Sequence, residues 1–274
     1  MNLLIAGLIV AASTSIAVAV MLLVRRRAPD GSYFHDGDRA AGVFGVLATG
    51  FAVLLGFVVF LAFTSYDSAR SGAETEARVV AQQIETTQLL PSAVSGQLTA
   101  QLVCYARSVA GVQWDRMAAG TAGEELNPWG AEMYRTIRTA DPQTPVEQAA
   151  FSKWLDQRSD REEARDNRIH GAVGVIPSPL WIVLYFISAL IFFYMLFFAD
   201  SGERAVTQAM LMGCVTAVVV STLLLLQFLD NPFHPGAGSL RPVAMERVLT
   251  VIDEELALVG DRTPLPCDRR GNAL

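Results

Sequence analysis

"AAGVFGVLATGFAVLLGFVVFLAF", from Ala40 to Phe63, contains no charged residue. At 1.5 Å per residue a helix of this length crosses the roughly 30 Å hydrocarbon core of a bilayer. Four glycines, Gly42, Gly45, Gly50 and Gly56, precede Phe57, Phe60 and Phe63. At 100° per residue, Gly42, Gly45, Thr49, Ala52 and Gly56 fall within an arc of about 80°, so missing side chains form one face of one helix. The same arc then takes in Phe60, Phe63, Asp67, Arg70 and Glu74, and one line passes from small to aromatic to charged.

In lipid, a small-residue face lets helix backbones approach and gain dispersion contacts. That reading explains the glycines as packing within or between subunits, and it leaves Asp67, Arg70 and Glu74 as i+3 and i+4 pairs on a solvated helix. A second reading uses the whole line. Repeated around a symmetry axis, the face lines a tube in which Phe60 and Phe63 form a hydrophobic constriction and Asp67, Arg70 and Glu74 a charged vestibule. Both readings stand on the residues alone.

The rest of the chain agrees with a membrane setting. Its 274 residues are 52% hydrophobic, with a mean hydropathy of +0.35. Three further uncharged runs, 3–24, 180–199 and 205–229, have spanning length, which predicts an all-α membrane protein with four transmembrane helices. The expected organisation is spans one and two within 1–64, a helical extramembrane domain over 65–174, spans three and four within 175–229, and a C-terminal amphipathic helix with a flexible tail over 230–274. In that helix Val248, Leu249, Ile252, Leu256 and Val259 share one side.

The 65–174 segment has helical apolar spacing throughout. The second span should continue through Val79, Val80 and Ile84 until Pro91 stops it. "TPVEQ" announces another helix, with Thr144 as N-cap, Pro145 at the first helical position and Glu147 completing a capping box. Its charges, such as Arg158, Glu162 and Arg165, read as a solvated face.

Arg25, Arg26, Arg27 and Arg39 make the 25–39 loop the most densely basic short connection, which places it in the cytoplasm. Four crossings then put the 65–174 domain and the C-terminal tail outside. Cys104 and Cys267 share that side and can bridge where it is oxidising, whereas Cys214 lies inside the fourth span. The domain has 11 basic and 15 acidic residues, net −4, which argues against nucleic acid as a partner. No spacing of Ser, His, Cys or Asp suggests a catalytic group, a metal site or a cofactor, so an enzyme is not expected. No ionisable group falls within the four runs, which argues against a proton-coupled transporter. Ser188, Gln208, Thr216 and Thr222 read as helix glue.

These residues also match a known pattern. "HDGDRAAGVFGVLATGFAVLLGFVVFLAFTSYDSARSGAETEA", "YARSVAGVQWDRMAAG", "RDNRI" ahead of "IPSPLWIVL", and "LDNPF" after the fourth span resemble, in order, the bacterial bestrophin-like membrane proteins. The resemblance implies a multi-pass protein of the bacterial inner membrane, a homo-oligomer and, through bestrophins themselves, a pentameric anion channel with inorganic ions as its cargo. The bestrophin calcium clasp has no counterpart here. Bestrophins also hold their helical domain in the cytosol, opposite to what Arg25–Arg27 argue. A reading from another class is a membrane-anchored scaffold or accessory subunit that binds partners through its helical domain.

Overall fold

The computed structural model describes residues 2–121, 127–259 and 264–274, without the side chains of 256–259. The helices are α1 (Leu3–Arg25), α2 (Gly37–Thr87), α3 (Ser92–Ser108), α4 (Trp114–Ala118), α5 (Pro128–Ile137), α6 (Pro145–His170), α7 (Ser178–Leu196), α8 (Ala205–Asp230) and α9 (Val243–Val259). A π-helical turn, Val109–Gln113, joins α3 to α4. Among the described residues α1, α2, α7 and α8 are long and apolar enough to cross a membrane. The only extended pairing among them is the bridge between Cys267 and Ala273.

The chain divides into two compact units, Met1–Thr64 with Gly174–Asp230 and Pro235–Gly238, and Ser65–Val173 with Asn231–His234 and Ser239–Leu274. In the first unit α1 and α8 meet where Gly213 leaves room for Thr14 and Val18, whose methyls lie 3.5 Å from the place of its missing Cβ. Ala17, Met21, Met195, Ala199 and Met212 form its core. Phe44 stacks on Tyr194 at 5.7 Å, and the Tyr194 hydroxyl donates to the Ala40 carbonyl at 3.2 Å, which fixes α2 against α7. Phe192 and Phe198 are half-buried here, whereas Phe193 and Phe197 stay exposed, so one side of that aromatic run packs within the unit.

Loops 26–36 and 197–204 are stitched together. Arg25 donates to the carbonyls of Ser201, at 2.9 Å, and Glu203. The Asp200 carboxylate accepts from Gly31 N at 3.0 Å and Gly202 N at 2.7 Å, and these amides hold its pKa below the ordinary value. Of the expected helix glue, Ser188, Thr216 and Thr222 bond back to the carbonyls of Leu184, Met212 and Val218 in their own helices, whereas Gln208 donates to the Asp200 carbonyl at 3.1 Å and to Glu203 at 3.2 Å in the preceding loop.

In the second unit Thr144 caps α6 with the full capping box. Its core runs through Val80, Ile84, Leu98, Leu102, Tyr105, Met133, Ile137 and Trp154, and α9 contributes Met245 and Ile252 with Val248 and Leu249 beside them. Leu256 and Val259, expected on the same side of α9, lie outside the described side chains.

Two expectations need correction here. The tail is fixed rather than flexible over 264–274. Cys267 is joined to Cys104, Trp129 Nε1 donates to the Gly271 carbonyl at 2.8 Å, and the Asp268 carboxylate accepts from Arg270 N, Asn272 N and Asn272 Nδ2. Gly271, with φ of +81°, lies so close to α3 that a Cβ there would be 2.2 Å from Ser108 N. Nor is α6 a solvated charge ladder, because Arg161 and Arg168 are fully buried.

Candidate functional site

Every residue of the small-to-charged line is exposed. Gly42, Gly45, Thr49, Ala52 and Gly56 face away from the rest of their unit, and a Cβ built on Gly42, Gly45 or Gly56 would meet nothing within 4 Å. Phe60 and Phe63 are 63% and 54% exposed. The buried side of the same span is set by Ala40, Phe51, Leu55, Val58 and Ala62, which lie on the opposite arc. Helical periodicity separates these faces, and side-chain size does not: Ala40 and Ala62 are buried, whereas Phe60 and Phe63 stay exposed with the glycines.

In the second unit α2 carries Arg70 and Glu74, an exposed pair 3.1 Å apart. That pair raises the Arg70 pKa, first through the hydrogen bond to Glu74 and then through its charge. The two residues line an open cavity of about 640 Å³ whose far wall is the segment from Ser239 to Arg247. Arg241 and Arg247 therefore join Arg70 there, with Glu74 the one carboxylate among the described lining residues. Asp67 is exposed and does not line this cavity. The structure thus brings Arg70 and Glu74 together with a C-terminal segment that sequence reading assigned no such role.

Below this surface lies an ionic cluster that sequence reading missed. Arg168 donates from Nε to Glu76 Oε2 at 2.5 Å and from Nη2 to Oε1 at 3.0 Å, a two-pronged pair with both side chains fully buried. Tyr105 donates its hydroxyl to Glu76 at 2.6 Å, and Arg161 lies over the Tyr105 ring at 4.8 Å while donating to Gln83 at 2.7 Å. Burial alone would lower the Arg168 pKa, but the Glu76 carboxylate outweighs it, and the guanidinium stays charged. Burial, and next the same carboxylate, pushes the Tyr105 phenol well above its ordinary value.

A signal for this cluster was present. Ala150, Trp154, Gln157, Arg161, Ala164 and Arg168 are all buried, and they repeat at alternating spacings of four and three, the pattern of a helix seam. Gly72 completes the arrangement, since its missing Cβ lets α2 approach the Ala164 carbonyl and Arg168 N.

A second buried charge closes the first unit. Asp230 ends α8 and is 7% exposed, accepting from Val175 N at 2.8 Å, Ile176 N at 3.0 Å and Trp181 Nε1 at 3.2 Å. The expectation that no ionisable group is buried in a span is corrected here, because α8 continues one residue past the apolar run 205–229 and takes in Asp230. The carboxylate is a clamp on the turn before α7, held by two backbone amides and one indole N–H.

Among the described residues no group of His, Cys, Asp and Glu could hold a metal ion. His170 bonds to the Asp166 carbonyl at the end of α6, at 2.8 Å.

The comparisons bear on the whole architecture. The bestrophin-like domain model matches residues 10–245. No curated protein sequence matches the chain. Among solved structures, a bacterial bestrophin homologue from Klebsiella pneumoniae is 15% identical, with a TM-score of 0.65 over 94% of this chain and 99% of that one. A membrane protein crystallised as a point variant is also 15% identical, with a TM-score of 0.67 over 92% and 99%. At that identity the likeness is one of fold. The family match begins within α1 and ends in the first turn of α9, taking in all of α2, α7 and α8, and the chain belongs to the bestrophin-like domain family.

Proposed function

We propose that this protein is the subunit of a homo-oligomeric ion channel, pentameric as in the bestrophins it resembles, with α2 lining the conduit. Phe60 and Phe63 form the neck, and Asp67, Arg70 and Glu74 the vestibule. The observation that carries this reading is the uncovered small-residue face, since a monomer gains nothing from glycines whose missing side chains make room for no part of its own chain. Close approach of a second copy gives them a use. Exposed phenylalanines on the same line supply a dewetting constriction.

The cargo on this reading is an anion. The extramembrane segment is acidic as a whole, but Arg70, Arg241 and Arg247 outnumber Glu74 around the cavity, and local charge governs which ions concentrate at a mouth. The helical domain lies outside the cytoplasm. Arg25–Arg27 keep their loop inside, and the Cys104–Cys267 bond suits an oxidising compartment, so two independent features favour this orientation over the bestrophin one.

Flux from liposomes tests the assignment. Wild type should release chloride in preference to potassium, Phe60→Ala with Phe63→Ala should raise the rate, and Arg70→Glu should lower the chloride preference. A monomer in detergent with no flux of any small ion returns the protein to a membrane-anchored scaffold.

A further inference from the structure

Beneath the tail hook lies a cavity of about 290 Å³ that the channel reading does not use. Its lining includes Arg116, Arg165 and Arg168 and, among the described residues, no carboxylate, although the surrounding 65–174 segment is acidic. Two donors in its wall are buried with their capacity unspent. Asn127 is 7% exposed, its Oδ1 caps α5 by accepting from Trp129 N, and its Nδ2 has no partner among the described residues. Arg168 is fully buried and commits Nε to Glu76 and Nη2 to Glu76 and the Gln113 amide oxygen, while among the described residues Nη1 meets only the thioether of Met117 at 3.2 Å, a weak acceptor.

A buried donor without an oxygen partner is costly, and a wall built of such donors and guanidinium groups suits a ligand with several negative oxygens. We propose that this cavity is a binding site for a small free oxyanion, a phosphate or a carboxylate. Guanidinium forks match the paired oxygens of these ions better than they match a spherical halide. Gly271, Asn272 and Ala273 complete the wall, held there by Cys267 and by the Trp129 bond to Gly271, so the site exists only while the tail is latched.

The full-length protein in a phosphate-free detergent tests this by its melting temperature at constant ionic strength. Potassium chloride is exchanged for inorganic phosphate, for succinate, or for short-chain phosphatidic acid. The expected result is a saturable rise of about 5 °C with phosphate or succinate. In Arg116→Gln, a change at an exposed residue, the concentration giving half the rise should increase at least about fivefold, and reduction of the disulfide should abolish the rise. Wild type without a rise, a rise with phosphatidic acid alone, or the same affinity in Arg116→Gln would each overturn the proposal. Conduction plays no part in the measurement, so its failure leaves the channel assignment standing.

Discussion

Glycine is used twice on α2, to opposite ends. At Gly72 a Cβ would lie 2.7 Å from both the Ala164 carbonyl and Arg168 N, and the missing atom is what lets α6 set its arginine against Glu76. At Gly42, Gly45 and Gly56 the added atom would meet nothing within 4 Å. One helix therefore carries a glycine its own fold consumes and, counting Gly37 and Gly50 with these three, five that its fold ignores. A helical glycine costs about 1 kcal/mol relative to alanine, so the idle set points to a contact outside the single chain.

That contrast can be tested from its strong side to its weak one. Arg168→Ala leaves the Glu76 carboxylate buried without its partner, and the helical domain should lose about 3–5 kcal/mol in denaturant unfolding followed by tryptophan fluorescence. Adding Glu76→Gln to Arg168→Met should recover much of the loss. Gly72→Ala forces apart two backbones and should cost about 1–3 kcal/mol in the same assay. Gly45→Ala should change the stability of the isolated subunit by no more than about 1 kcal/mol, and in the stabilising direction. Its effect should appear instead as a weaker oligomer in detergent cross-linking. Equal costs at Gly72 and Gly45 would erase the distinction.

What could be read in advance was local. Uncharged length marks the four spans, and Thr144, Pro145 and Glu147 mark the start of α6, because hydropathy and caps act over a few residues. The ionic cluster escaped because charged side chains are ordinarily solvated, and only the seam spacing from Ala150 to Arg168 singles out the two buried ones. The cavity wall from Ser239 to Arg247 and the fixed hook around Gly271 were hidden for another reason. Both depend on partners more than a hundred residues away, Arg70 in one case and Ser108 in the other; the Cys104–Cys267 pairing could be read as a possibility, but no periodicity in "PLPCDRRGNAL" announces the hook built around it. The same holds for the π-helical turn Val109–Gln113, against which Arg270 packs: its carbonyl oxygen is 3.1 Å from the place of the Cβ that Gly111 lacks.

The Cys104–Cys267 bond has a consequence for how the molecule is made. Its two sulfurs are 163 positions apart, with α7 and α8 between them, so both later hydrophobic segments must be threaded before the bond can close. At ordinary translation rates Cys104 waits about 10–30 s for its mate to emerge from the ribosome. Until then it is an open thiol on a nascent chain, and oxidative closure is a late checkpoint that a prematurely terminated copy never passes.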